Sequence, residues 1–265
     1  MNPEALPEDV HAAFVRAGAR LGMFAGRLLW YDTVTSTNDI ASRMASSGAP
    51  EGTAVAANMQ TMGRGRLGRR WASPPGAGLY ASAIFRPVAH VAPMMTISAG
   101  AAIADAIEAS SGLQTILKWP NDVYAGPRKL AGILAEAAAT HGIVDHTILG
   151  FGINLMPAAY PAEIAARATS LESELGRPVD RGLVLAECFA ALASRYEDLR
   201  AGRPEAIIAS WRRRGAPTFG RRVQWDASGG VHEGAVEDID DRGALVVRSG
   251  GRRLRIVSGE VRWIP

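Results

Sequence analysis

The chain has 265 residues, of which 48% are hydrophobic and 21% charged, a balance typical of a soluble globular protein. Its formal net charge of +3 is too small to require a nucleic acid as partner. The first residues, MNPEALPEDV, lack the features of a secretory signal, and no apolar run approaches the ~20 residues of a membrane span. We therefore expect a cytoplasmic protein without a membrane partner.

Cysteine and histidine usage also excludes some kinds of site. The single cysteine, Cys188, rules out an internal disulfide and a cysteine-based zinc cage, and its helical context predicts a buried thiol. The histidines have no ligand spacing, so we expect surface or turn positions and no metal held by the protein. They are His11, His90, His141, His146 and His232.

Hydrophobic periodicity predicts an α+β region followed by an all-β module. Residues 1–26 are predicted as a short helix or mobile arm, 27–214 as the α+β region, and 215–265 as a small β-barrel with Gly-rich turns. The elements predicted within the α+β region are strands at 28–34, 53–58, 78–87 and 115–119, a capped helix at 35–48, a helix at 94–112, a hairpin turning at His141-Gly142, and helices at about 182–199 and 204–214.

A long arginine- and glycine-rich loop spans residues 59–78 and contains GRGRLGRRW. Glycines let a backbone approach a ligand closely, and arginine forks bind phosphate or carboxylate with two donors. A loop of this length is usually functional or disordered. The pattern alone allows two interpretations, an anion-binding flap or a solvated basic loop, and it excludes a P-loop because no Gly-Lys-Ser/Thr ending is present.

The chain uses lysine at only two positions, Lys118 and Lys129, whereas its other 27 basic residues are arginine. Lysine supplies a compact ammonium that an arginine fork does not replace. An ordinary Trp-Pro-Asn-Asp turn with Lys118 exposed is the plainer interpretation of KWPND. However, Lys129 opens an apolar strand in which Gly132 predicts close approach of a ligand or backbone. A lysine beside an aspartate and an arginine flap suits nucleotidyl transfer.

These segments, in this order, resemble the biotin–protein ligases over about residues 28–265. The matching segments are TSTND at 35–39, GRGRLGRRW at 63–71, KWPND at 118–122, KLAGILAE at 129–136 and GFGINL at 150–155. The resemblance implies a mixed-sheet, class II synthetase-like catalytic domain at 27–214 that binds biotin and ATP, with an SH3-like domain at 215–265.

The resemblance also implies a reaction in two steps. Biotin and ATP, which brings Mg²⁺, would form biotinyl-5′-AMP and pyrophosphate. A lysine of a biotin carboxyl carrier protein or domain, in acetyl-CoA carboxylase or another biotin-dependent carboxylase, would then attack the adenylate. Family members include monomers and homodimers, so the pattern does not choose between them. The implied site residues are Lys129, Arg66 and Asp122 for catalysis; Ser36, Thr37, Asn38, Gln60, Arg64, Gly65, Arg66, Lys129 and Gly132 for biotin; and Trp71, Asn121, Asp122 and Asn154 for the nucleotide.

Members of this family that double as repressors carry an additional N-terminal DNA-binding domain. Only about 27 residues precede the catalytic pattern here, so we expect ligase activity without DNA binding. Two alternatives remain for test. One is a lipoate ligase or octanoyltransferase on the same fold, although Cys188 lies far from the motifs and the GRGR flap is not shared. The other is a non-catalytic nucleic-acid binder, although aromatic residues are scarce in the basic run.

Overall fold

The structure, a computed structural model, describes residues 2–88, 91–141, 143–227 and 230–264. Within these residues lie a seven-stranded mixed sheet and a five-stranded antiparallel sheet, which confirms the α+β class. The helices are α1 Glu8–Ala17, α2 Thr37–Ser46, α3 Met95–Ser111, α4 Leu171–Leu175, α5 Arg181–Arg200 and α6 Glu205–Gly215. The strands are β1 Leu28–Val34, β2 Ala54–Gln60, β3 Gly78–Phe85, β4 Ile116–Lys118, β5 Asp122–Ala125, β6 Arg128–Thr140, β7 Ile143–Asn154, β8 Arg222–Ala227, β9 Gly230–Ile239, β10 Leu245–Ser249, β11 Arg252–Ile256 and β12 Val261–Trp263.

The large sheet has the strand order β1-β2-β3-β7-β6-β5-β4. Strands β1 and β2 are parallel and joined through α2, as a parallel pair requires a crossover, whereas the remaining neighbours are antiparallel. The predicted hairpin is confirmed as β6 and β7, which form the centre of the sheet. Its turn residue His141 has a φ of 51°, and Gly142 lies outside the described residues.

Side chains alternate between the two faces of this sheet, because neighbouring residues of a strand point in opposite directions. On one face, Ala131, Ile133, Phe151 and Ile153 join the main hydrophobic core under α3 and α5. Helix α3 is buried around most of its circumference, and Cys188 of α5 is fully buried, as predicted. The opposite face is covered by α2 only in part, and its uncovered area carries the candidate site.

The N-terminal residues are part of the core. Helix α1 packs against α5, where the rings of Phe14 and Phe189 lie 5.8 Å apart. Leu21 and Phe24, in the following 3₁₀ segment, are also buried. Of the two predictions for this segment, the short helix is confirmed and the mobile arm is wrong, since burial of these aromatic and aliphatic side chains holds the segment on the sheet.

The small sheet has the order β11-β10-β9-β8-β12 and follows α6 along the chain. It contacts the large sheet beside the KWPND turn, where the buried Trp119 Nε1 donates a hydrogen bond of 2.9 Å to the carbonyl oxygen of Gly243. Trp263 of β12 lies 5.3 Å from the Tyr124 ring of β5. The edge strand β12 therefore faces the same surface of the large sheet as the candidate site.

One prediction about the histidines is wrong. His146 is only 5% exposed, because it occupies a position of β7 that faces the side of the sheet covered by α2. Among the described residues, no group of three or more histidine, cysteine, aspartate or glutamate side chains has the arrangement of a metal site. No helix in the described parts of the chain is long and apolar enough to cross a membrane.

Candidate active site

Three glycines of β6 and β7 form the floor of the site. Gly132 pairs with Gly152, and Gly150 is two residues before Gly152, so all three face away from the helical core. A Cβ atom at Gly152 would lie 2.5 Å from the Trp71 indole, and one at Gly150 would lie 1.9 Å from Asn38 Oδ1. Both side chains therefore rest directly on the strand backbone, which only glycine permits at these positions.

The wall beside Gly150 is polar and comes from the start of α2. Ser36, Thr37 and Asn38 are each 4% exposed or less. Asn38 Oδ1 lies 2.6 Å from Ser82 Oγ of β3, and Asn38 Nδ2 donates to Glu136 at 2.7 Å. Since a buried polar group without a partner is costly, this network fixes the orientation of the Asn38 amide.

Gln60 completes this wall from the end of β2. Its Oε1 atom accepts a hydrogen bond of 2.9 Å from the Thr37 backbone N–H, and its Nε2 atom donates to Ser73 Oγ at 2.8 Å. Ser36 occupies the N-cap position of α2, but no cap by its side chain occurs within the described residues. Helix α2 is thus capped from a neighbouring strand, a long-range contact that no local pattern predicts.

The arginine–glycine loop, residues 59–78, is folded over this floor. A bridge between Arg64 and Arg70, with hydrogen bonds from Gly65 N to Arg69 O at 2.8 Å and from Trp71 N to Gly63 O at 2.9 Å, gives it hairpin-like structure. We call residues 59–78 the flap. These backbone hydrogen bonds order the tip of the flap.

Trp71 of the flap lies in the middle of the site. Its ring approaches both Gly132 and Gly152, and the ammonium of Lys129 lies 5.4 Å from the ring centroid. Its indole Nε1–H is shielded from solvent and meets no acceptor in the described parts of the chain. A buried donor of this kind is stabilised by an acceptor that a ligand brings.

Lys129 and Asp122 form the charged centre of the site. Lys129 Nζ lies 2.6 Å from Asp122 Oδ1, with the lysine side chain 30% exposed. The lysine backbone is fixed by hydrogen bonds to Arg167 and Thr169 on either side of Ala168. Beside it, Arg66 Nη1 donates to Asn121 Oδ1 at 3.1 Å, which brings the flap onto the KWPND turn.

Two predicted ligand-binding residues are already held by other parts of the chain. The Arg64 guanidinium lines the same pocket as Lys129, and it forms ion pairs with Asp39 and Glu136, which raise its pKa and tie the flap to α2 and β6. The Asn154 side chain is buried and donates to the carbonyl oxygen of Thr169 at 2.8 Å. Asn154 therefore positions the segment that follows β7 and lines the site from behind.

Two cavities meet at Lys129, Asn121 and Trp71. The smaller, of about 50 Å³, lies between the polar wall and the glycine floor. The larger, of about 540 Å³, extends from Lys129 to the small sheet. Among the described residues that line the larger cavity, the cationic side chains outnumber the carboxylates: Arg66, Arg69, Arg70, Lys118, Lys129, Arg167 and Arg262 against Asp122 and Glu260.

The resemblance implied that the C-terminal domain helps to hold ATP, but sequence reasoning did not identify which of its residues line this cavity. Glu260 accepts a hydrogen bond of 2.6 Å from Arg69, and this bond holds the pKa of the Glu260 carboxyl below its usual range. Arg66 Nη2 donates to the carbonyl oxygen of Gly259 at 3.1 Å. These contacts link residues about two hundred positions apart, so local periodicity gave no signal for them.

Comparison with known proteins agrees with this geometry. Residues 30–154 match the model of the Biotin/lipoate A/B protein ligase family, and residues 218–262 match the Biotin protein ligase C terminal domain. The Bacillus subtilis bifunctional ligase/repressor BirA is 32% identical over 96% of this chain and 79% of its own length. The Mycobacterium tuberculosis biotin–[acetyl-CoA-carboxylase] ligase is 36% identical over 85% of each chain.

A solved structure of the Aquifex aeolicus biotin protein ligase in complex with biotin and ATP superposes with a TM-score of 0.77. It is 28% identical and matches 90% of this chain and 98% of its own. The chain belongs to the biotin–protein ligase family, and its fold and enzyme class are those of a biotin–[acetyl-CoA-carboxylase] ligase. The resemblance deduced from the sequence is thereby confirmed, and the lipoate alternative is not favoured.

Proposed function

We propose that this enzyme joins biotin to ATP at Lys129 and transfers the biotinyl group to a lysine of a biotin carboxyl carrier protein or domain. The observation that carries the proposal is the position of the Lys129 ammonium, at the junction of a polar slot and a cation-lined cavity. Two anionic reactants, a carboxylate and a polyphosphate, meet there only if fixed positive charge offsets their repulsion.

In the first step, a carboxylate oxygen of biotin attacks the α-phosphorus of ATP. The bond between this phosphorus and the oxygen that bridges it to the β-phosphate breaks, and pyrophosphate leaves. Lys129 neutralises charge on the carboxylate and α-phosphate, while Arg66 holds the flap over them. In the second step, the carrier amine attacks the acyl carbon and AMP leaves with the bonding electrons. The incoming lysine is the nucleophile, so the reaction needs no serine or cysteine of this chain.

The polar wall is proposed as the site of the ureido ring. Thr37, Asn38 and Gln60 present fixed amide and hydroxyl groups to a neutral ring, and the Gly132 backbone lies at the start of the slot for the valeryl chain. Ser36 and Gly65 line the same slot. The larger cavity is proposed for the nucleotide, with Trp71, Asn121 and Asp122 at its entrance and Asn154 behind it.

The slot must widen before biotin enters. Small-molecule sites occupy roughly 300–1,000 Å³, whereas the slot holds about 50 Å³ with Trp71 on the glycine floor. Displacement of Trp71 with the flap is therefore part of binding. Closure of the flap afterwards would shield the mixed anhydride from water.

Mg²⁺ is proposed to arrive with ATP. Its preferred ligands are oxygens, and the site offers the Asp122 carboxylate and the Asn121 amide oxygen beside the cavity. Asp122 is already paired with Lys129, so the protein supplies few ligands and the phosphates supply the rest. When bound, the ion neutralises phosphate charge.

Further proposals concern domain organisation and the competing activities. We propose a division between the catalytic region and the C-terminal domain near residue 215, where α6 ends before the small sheet begins. Octanoyl transfer through Cys188 is disfavoured, because this thiol is fully buried in α5 and burial raises its pKa.

The test is mass spectrometry of a biotin carboxyl carrier domain incubated with the purified protein, biotin and MgATP. We expect the mass of one biotinyl group to appear on the carrier and to vanish when its acceptor lysine is replaced by alanine. Lipoate in place of biotin serves as the matched substrate control. Modification by lipoate and not by biotin, or no modification with several carriers, would overturn the proposal.

A further inference from the structure

Lys118 is the second lysine of the chain, and the proposed reaction does not yet use it. It is half-buried on β4 and lines the end of the larger cavity beside the small sheet. Its Nζ atom lies 4.5 Å from the Trp263 ring centroid and 5.6 Å from that of Tyr124. Within the described residues, no carboxylate forms an ion pair with it.

The register of the sheet places Lys118 in line with the reaction centre. Lys118 pairs with Asp122 across the β4–β5 turn, and Asp122 pairs with Gly132 of the glycine floor. Side chains at directly paired positions share one face of a sheet. Lys118 therefore lies on the same face of the sheet as the candidate site. Asp122 lies between Lys118 and the glycine floor with its biotin slot.

The electrostatic environment of Lys118 is unfavourable without a ligand. Burial is the largest cause that lowers the pKa of Lys118. The charges of Asp122 and Glu260 oppose this shift, whereas Lys129 and Arg69 add to it, and the pKa remains lowered. Arg167 and Arg262 line the same end of the cavity, where Glu260 is already paired with Arg69. A buried ammonium of this kind is stabilised when an anion enters the cavity.

We propose that Lys118 binds the β- and γ-phosphates of ATP, and hence the inorganic pyrophosphate that leaves. The inference rests on the proposed function, because it places the α-phosphate at Lys129. From Lys129 the cavity runs past Asp122 to Lys118, so the polyphosphate chain extends from the glycine floor toward the small sheet.

This position accounts for the retention of lysine. When the bond between the α-phosphorus and the bridging oxygen breaks, both electrons stay with that oxygen, and the departing pyrophosphate gains negative charge. The Lys118 ammonium stabilises this charge without transferring a proton. The ring faces of Trp263 and Tyr124 leave space for a compact cation, and they orient it because aromatic faces attract cations.

A purely structural role would also explain the aromatic contacts. Lys118 would then only fasten β4 to the small sheet through Trp263, and its loss would weaken the whole site equally. Arg221 provides a matched control, because its guanidinium carbon lies 4.7 Å from the same Trp263 ring but Arg221 does not line the cavity. The two cations share an aromatic partner and differ in access to the phosphate path.

The experiment measures pyrophosphate in the reverse reaction, in which enzyme-bound biotinyl-AMP and pyrophosphate form ATP and biotin. For Lys118→Met, we expect the KM for pyrophosphate to rise about ten- to hundredfold, with the dissociation constant of biotinyl-AMP within threefold of wild type. For Arg221→Met, both constants should stay close to wild type. Lys118→Arg should recover only part of the pyrophosphate affinity.

An unchanged pyrophosphate KM in Lys118→Met would overturn the inference, and so would a parallel weakening of pyrophosphate and biotinyl-AMP binding. The melting temperature, measured on each variant, separates loss of folding from loss of binding. If wild-type protein forms no biotinyl-AMP at all, the proposed function fails. If it forms biotinyl-AMP and Lys118→Met behaves like wild type, only the assignment of Lys118 fails.

Discussion

Replacement of Gly150 by alanine tests whether the polar wall of α2 binds the head group of biotin. The added Cβ would lie 1.9 Å from Asn38 Oδ1, 2.9 Å from Asn38 Cγ and 3.1 Å from Ser82 Oγ. Asn38 would have to withdraw by more than an ångström to reach ordinary van der Waals contact. Its hydrogen bonds with Ser82, at 2.6 Å, and Glu136, at 2.7 Å, would then break.

The expected cost follows from these two hydrogen bonds. At about 0.5–1.5 kcal/mol each, their loss would weaken biotin binding by about 1–3 kcal/mol, or about 5- to 150-fold, because the wall would no longer be preorganised. Crowding of the sheet would also lower the free energy of unfolding by about 1–3 kcal/mol. Isothermal titration calorimetry with biotin, in the absence of ATP, measures the first effect, and thermal unfolding measures the second.

Two further variants make the result interpretable. Gly215→Ala controls for the substitution itself, since its Cβ would meet nothing closer than 3.7 Å at an ordinary helical φ of −80°. Asn38→Ala removes the amide without crowding the sheet and should weaken biotin binding to a similar degree. The reasoning is refuted if Gly150→Ala and Asn38→Ala both bind biotin as tightly as wild type.

Two predictions concern closure of the flap. Arg66→Ala loses the hydrogen bonds to Asn121 and Gly259, so biotinyl-AMP should dissociate about ten- to hundredfold faster in a filter-trapping assay; retention equal to wild type would show that the flap is not the lid. Glu260→Gln loses only the ion pair with Arg69, whose side chain is 63% exposed. Exposed ion pairs contribute little, so biotinyl-AMP should dissociate at most about fivefold faster. A larger change would contradict the surface character of this pair. The hydrogen bond from Arg69 lowers the pKa of Glu260, so the ion pair is fully formed above the ordinary glutamate pKa of about 4.3 and is lost as the pH falls through the lowered pKa. In acid, biotinyl-AMP should therefore dissociate from wild type about as fast as from Glu260→Gln.

The sequence predicted the parts of the fold that follow from local pattern. The two runs that flank His141-Gly142 predicted the hairpin of β6 and β7. Gly132 signalled a close approach, but the group that approaches is the Trp71 side chain rather than the predicted ligand or backbone. Alternation along β7 would have identified His146 as buried, because it shares its face of the strand with Ile148.

Contacts between distant segments were not predictable from local pattern. Arg64 of the flap pairs with Asp39 of α2 and Glu136 of β6, and the cap of α2 comes from Gln60 rather than Ser36. Glu260 lies in a short turn with no pattern of its own, yet it reaches the flap because β12 is the edge of the small sheet that faces the site. Such contacts depend on how the two sheets meet, which neither helical nor strand periodicity encodes.

Rapid-quench measurement of biotinyl-AMP tests the central claim most directly, since it follows the joining of the two anionic reactants at Lys129. Wild-type protein mixed with biotin and MgATP should form biotinyl-AMP and pyrophosphate in equal amounts within a single turnover. Lys129→Arg should form them about a hundredfold more slowly or worse, with an unchanged melting temperature, because the wider guanidinium does not fit between Asp122 and Trp71. A near-normal rate in this variant, or no biotinyl-AMP from wild type, would contradict the account.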